Sequence, residues 1–161
     1  MKLQSTLCAF VLLATSAGIV NAAPTNATVS PKPAIQAAAK MEMADYAAIR
    51  HVLGLYIDGG RQGKSAVMKP AFHTNAVMRG GPGNSVDGGP IQGLFDYIDS
   101  HPAASGLNAE ITKIEVQNQI AYGRIESDNW NGARFSDMFL LIKDKGEWKI
   151  LTKIFHQHAT D

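Results

Sequence analysis

The chain has 161 residues, with 15 Lys and Arg against 14 Asp and Glu and a formal net charge of +1. So even a balance gives no electrostatic case for nucleic acid or an anionic membrane as partner. A single cysteine, Cys8, excludes an intrachain disulfide framework and a cysteine-rich metal site.

Met1-Lys2 supplies a positive start, residues 7–14 a short apolar run, and Val20-Asn21-Ala22 a small-residue cleavage pattern. Together they read as a secretory signal peptide over residues 1–22, which implies a secreted or periplasmic protein. The run is too short to span a bilayer, so no membrane partner is expected after cleavage. Cleavage removes Cys8 and Lys2 and leaves acidic and basic residues equal in number. Residues 23–43 are rich in Ala, Pro, Thr and Lys and read as a flexible tether. Residues 44–158 suffice for one compact domain with its own core.

Asp45 is placed to cap a helix running to about Asp58, since Tyr46, Ile49, Val52, Leu53, Tyr56 and Ile57 recur at helical spacing. Gly59-Gly60 is expected to end it. A short helix from Ser65, bent near Pro70, leads through His73 to a strand over residues 76–79. Residues 80–90 carry five glycines and two prolines, the composition of a flexible loop over a binding site. A third helix over residues 91–100 stops at His101-Pro102, and strands follow over residues 107–117 and 120–130.

The last part, residues 130–156, reads as two tight turns joining three strands. Asn131-Gly132 suits a two-residue type I′ turn, because both central positions need positive φ. Asp144-Lys145-Gly146 suits a three-residue turn with glycine in the left-handed position. Counting outward from these turns sets Glu126 opposite Asp137 and Asp137 opposite Lys153. One face then carries Tyr122, Arg124, Glu126, Phe135, Asp137, Lys153 and Phe155. The other carries Ile125, Met138, Trp148, Ile150 and Ile154 and ends near His156. Such a sheet needs cover on both faces, by helices on one and a partner subunit on the other. A homodimer through Met138, Trp148 and Ile150 is therefore expected, on the condition that the registers hold. The element order gives an α+β domain, with about three N-terminal helices packed on a curved, mostly antiparallel sheet.

The segments LYIDGGRQGK and AFHTNAVM, and the tail DNWNGARFSDMFLLIKDKGEWKILTKIFH, resemble the "putative lumazine-binding" family. That family lies within the nuclear-transport-factor-2-like, or SnoaL-like, superfamily of cone-shaped domains. The resemblance covers the domain but not the signal or tether. It implies a conical pocket, and its members include isomerases, dehydratases, cyclases and ligand-binding modules, so fold alone selects none of these. Ketosteroid isomerases of the superfamily pair a late-helix tyrosine with a protonated aspartic acid and use a further carboxylate as base. Tyr56 and Asp137 fall at the first two positions; the base position falls near Gly80, which has no proton-abstracting group.

Asp137 is thus open to two roles: a general acid or ligand hydrogen-bonder, or the acidic half of a structural pair with Lys153. Tyr56 and His73 are the other catalytic candidates, each with a plain alternative: a core aromatic for Tyr56 and a helix-capping group for His73. Trp130, Phe135, Glu126, Lys153 and Phe155 are candidate ligand-binding residues. His156 and His158 point the same way but lack an evident third ligand, so neither metal nor cofactor is assigned. Two functions follow. One is a secreted or periplasmic protein binding a small molecule in a conical pocket, with heteroaromatic compounds among the candidate ligands. The other is a cofactor-free SnoaL-like isomerase, dehydratase or cyclase doing acid-base chemistry on a carbonyl substrate.

Overall fold

The computed structural model describes residues 33–159; the signal segment and residues 23–32 of the tether lie outside them. Helix α1 spans Pro33–Gln62, so its start precedes the expected cap at Asp45, and residues 33–43, expected to belong to a flexible tether, are helical. Proline is tolerated in a first helical turn, where its missing N–H would be unpaired anyway. Ile49, Val52, Leu53, Tyr56 and Ile57 are all buried along one stripe of α1. The helix runs through Gly59-Gly60 and stops at Gly63, whose φ of 60° suits a residue without Cβ. The Gly59-Gly60 pair serves packing instead. A Cβ on Gly59 would lie 2.7 Å from Met68 Cβ, and one on Gly60 would lie 2.6 Å from the Trp130 ring.

Helix α2 (Ser65–Met68) and a 3-10 turn (Lys69–Ala71) lead into strand β1 (Phe72–Pro82). The Ser65 N–H and hydroxyl both donate to the Asp99 carboxylate, at 2.8 and 2.6 Å, which ties α2 to helix α3 (Gln92–Ser100). Residues 80–90, expected to be a loose loop, form a hairpin instead: strand β2 (Asp87–Pro90) pairs antiparallel with β1. Strands β3 (Asn108–Gln117), β4 (Ile120–Trp130), β5 (Ala133–Asp144) and β6 (Glu147–Gln157) complete a six-stranded sheet in the order β2-β1-β6-β5-β4-β3. Only β1 and β6 pair in parallel. The three helices pack on one face of this open, curved sheet, and the buried core lies between them.

The registers depart from simple counting, and each departure has a local cause. Asn131 and Gly132 have φ of 51° and 86°, the expected type I′ pair, and Trp130 faces Ala133. Asn129 then adopts φ 58°, and the ladder shifts between Ser127 and Trp130 so that Ile125, not Glu126, lies opposite Asp137. This bulge exchanges the faces of β4. Ile125 is buried on the core side, while Tyr122, Arg124 and Glu126 point away from it. The second turn has two residues, not three: Lys145 and Gly146 have φ of 50° and 86°, and Asp144 pairs with Glu147. That one-residue difference puts Trp148 and Ile150 in the core, at 4% and 0% exposure, rather than on the outer face. A second bulge, at Leu151, restores the expected facing beyond it, so Asp137, Lys153 and Phe155 share the inner side. On the outer face Met138, Leu140 and Ile154 remain exposed.

Candidate functional site

A cleft of about 310 Å³ opens between α1, α3 and the inner face of the sheet, lined by Tyr56, Met78, Leu94, Tyr97, Trp130, Phe135, Lys153 and Phe155, among others. Its volume sits at the lower end of the roughly 300–1,000 Å³ of small-molecule sites. The walls are aromatic. Tyr56 and Trp130 have ring centroids 5.3 Å apart, and Phe135 lies 6.3 Å from Trp130 and 6.1 Å from Phe155.

Three polar groups meet at the inner end of the cleft. Asp137 is fully buried, its Oδ2 accepting a 2.8 Å hydrogen bond from the Tyr56 hydroxyl and its Oδ1 lying 2.7 Å from Lys153 Nζ. Lys153, itself only 3% exposed, holds its ammonium 4.2 Å from the Phe155 ring centroid and 5.6 Å from that of Tyr56. Burial pushes the Lys153 pKa below the ordinary lysine value, and the adjacent Asp137 carboxylate only partly opposes this. Burial likewise pushes the Tyr56 phenol well above its usual value, and the charge of Asp137 adds to the shift. Tyr56 is therefore a neutral hydrogen-bond donor at physiological pH. Tyr56 and Lys153 border the cleft, whereas Asp137 stands behind them.

The structure brings together Tyr56, Trp130, Phe135, Asp137, Lys153 and Phe155 from the sequence candidates. It leaves out two. Glu126, on the opposite face because of the Asn129 bulge, accepts hydrogen bonds from Arg124 Nε and the Ser136 hydroxyl, both at 2.7 Å. His73 lies on β1, not at a helix end, with Nε2 3.8 Å from Asp144 Oδ2 and Nδ1 accepting from the Asn75 N–H at 3.1 Å. At ~3.3 Å per residue along β5, Asp144 is on the order of 20 Å from Asp137, so His73 cannot share its chemistry. Met78, Leu94 and Tyr97 were not anticipated in the cleft. The i, i+3 spacing of Leu94 and Tyr97 carried a signal, but it fitted ordinary core packing equally well.

Gly80 has φ 153°, and a Cβ there would lie 2.0 Å from the Phe155 carbonyl oxygen. No side chain fits at this position, near which the resemblance to ketosteroid isomerases would lead one to expect a base. His156 and His158 have ring centroids 5.0 Å apart on the outer face, and the described residues contain no cluster of three or more metal-ligating side chains. No helix among the described residues is long and apolar enough to cross a membrane.

Comparison with known proteins agrees with this architecture. Aldolase FrzH from Cladobotryum sp. is 27% identical over 116 residues, covering 71% of this chain and 93% of that protein. An NTF2-like protein of unknown function from Shewanella baltica is 39% identical with a TM-score of 0.70, covering 73% of this chain and 96% of that one. A second, from Methylobacillus flagellatus, is 36% identical with a TM-score of 0.68, covering 72% and 94%. The fold is thus that of the nuclear-transport-factor-2-like (SnoaL-like) superfamily. With the model of the family described as "Putative lumazine-binding" matching residues 44–156, most of the folded domain, the chain belongs to that family.

Proposed function

We propose that this protein is a cofactor-free enzyme that binds a small, largely apolar carbonyl compound in the aromatic cleft and acts on it through Lys153 and Tyr56. The observation that carries this reading is the buried Tyr56–Asp137–Lys153 cluster at the inner end of an apolar cleft. A buried ion pair is a poor route to stability, because desolvation offsets much of the attraction, so its place beside a ligand-sized space favours a role in chemistry. Similarity to a protein named an aldolase supports carbon–carbon bond chemistry at a carbonyl over simple retention of a ligand.

Calorimetric titration with phenylacetone and benzaldehyde tests the reading. Saturable binding that Trp130→Ala weakens is the expected result. If neither compound binds and native mass spectrometry shows no co-purified small molecule, the proposal fails.

Residues 1–22, with the layout of a secretory signal peptide, support a location outside the cytoplasm. Full-length expression in a bacterial host should yield a mature chain beginning at Ala23. The exposed outer-face residues Met138, Leu140 and Ile154 support a homodimer. Trp148 and Ile150, being buried, take no part in it. Light scattering should report a dimer for the wild type and a monomer for Leu140→Asp; a monomeric wild type would refute the interface.

A further inference from the structure

The geometry points to Lys153 as a covalent nucleophile: its amine condenses with the carbonyl carbon of an aromatic or apolar aldehyde or ketone to form an iminium ion in the cleft. This inference rests on the reading above and deepens it by naming the bond that forms.

Lys153 is the cleft-lining member of the cluster that combines a nitrogen lone pair, once deprotonated, with an apolar setting. Its Nζ lies against the Phe155 ring at 4.2 Å and beside Asp137 Oδ1 at 2.7 Å. An amine becomes a useful nucleophile at neutral pH when a hydrophobic pocket disfavours its ammonium form, and burial has that effect here. Asp137 is the adjacent group that can accept the released proton, and Tyr56 holds the other carboxylate oxygen in place through its 2.8 Å hydrogen bond.

The step balances. The Lys153 ammonium passes one proton to Asp137, and the nitrogen lone pair attacks the carbonyl carbon. A C–N bond forms as the carbonyl π pair moves onto oxygen, giving a carbinolamine after protonation. The nitrogen then drives out the hydroxyl, which leaves as water with two of the three original ammonium hydrogens. The product iminium carries one hydrogen and one positive charge. Asp137, again a carboxylate, faces a cation as it did before. The iminium withdraws electrons from the neighbouring carbon, which is what forming or breaking a carbon–carbon bond next to a carbonyl requires. Asp137 is a positioning residue that also relays the proton, and Tyr56, whose one hydroxyl hydrogen goes to Asp137 Oδ2, holds that carboxylate in place.

The experiment treats the wild-type protein with benzaldehyde and sodium cyanoborohydride near neutral pH, followed by peptide mapping and parallel calorimetry. The expected result is a reduced benzyl adduct on Lys153, formed at least about tenfold faster than on exposed lysines such as Lys113. Lys153→Arg should lose that adduct while keeping a cation beside Asp137. Saturable benzaldehyde binding without labelling of Lys153 would overturn the nucleophile and leave the binding site standing. Absence of saturable binding would overturn both. Because the wild-type map alone decides the assignment, a poorly folded variant does not weaken the test.

Discussion

Asp137 and Lys153 meet diagonally across β5 and β6. Asp137 lies opposite Phe155 and Lys153 opposite Phe139, yet Oδ1 and Nζ approach to 2.7 Å. Each is the other's charge partner in a region that excludes water. Asp137→Asn leaves a buried ammonium without its anion and should cost about 3–5 kcal/mol in urea unfolding, as should Lys153→Met for the opposite reason. The double variant should lose less than the sum of the two by at least about 1 kcal/mol. Additive losses would show that the two groups do not interact.

Tyr56→Phe removes the donor to Asp137 Oδ2 while keeping the ring that packs 5.1 Å from Phe139 and 5.3 Å from Trp130. Leaving that oxygen without its hydrogen bond should cost about 1–3 kcal/mol. Thermal melts of the two proteins check this, and an unchanged melting temperature would mean that the hydroxyl is not bonded as described.

Gly80→Asp would place a carboxylate near the position that the resemblance to ketosteroid isomerases marks for a base. The backbone forbids it, since the new Cβ would strike the Phe155 carbonyl oxygen and the residue would be held at φ 153°. The variant should lose more than about 2 kcal/mol and gain no isomerase activity. Circular dichroism melts decide the first point and a ketosteroid assay the second.

Asp45 accepts hydrogen bonds from Lys143 Nζ at 2.6 Å and Trp148 Nε1 at 2.9 Å, which together hold its carboxyl below the usual aspartate value of 3.8. Depression of a carboxyl pKa by folding means that the unfolded chain binds the proton more readily. Its stabilisation is therefore complete above the unfolded value and is lost as the pH falls through the lower folded value. Asp45→Asn should be less stable by about 1–2 kcal/mol at pH 7, with the gap closing at acid pH below 4. A gap that stays constant to acid pH would assign the effect to shape rather than charge.

The helices, the strand order of the second half and both turn sites could be read from periodicity and from the Asn-Gly and Lys-Gly pairs. Bulges could not. The positive φ of Asn129 moves one residue out of the β4 ladder and sends Glu126 away from the cleft. The extra residue at Leu151 corrects the facing of Lys153 after the shorter turn had already buried Trp148 and Ile150. Insertions of this kind leave hydrophobic alternation intact on either side, so counting alone misses them. The start of α1 was hidden for a different reason: Ile35, Met41 and Met43 stay exposed, so no buried stripe marks that part of the helix. Asp137, Tyr56 and Lys153 were named from sequence, but that Asp137 stands behind the other two depends on packing across three elements.

The chain has two tryptophans, and β5 holds them apart: Trp130 borders the cleft beside the β4–β5 turn, and Trp148 is hydrogen-bonded to Asp45 beside the β5–β6 turn. Each end of the sheet therefore has its own intrinsic fluorophore. A Trp148→Phe protein would emit from the cleft alone, and a Trp130→Phe protein from the clasp that fastens α1 to the strands. Occupancy of one end and release of the other can then be followed as separate optical signals in a single unfolding or binding experiment.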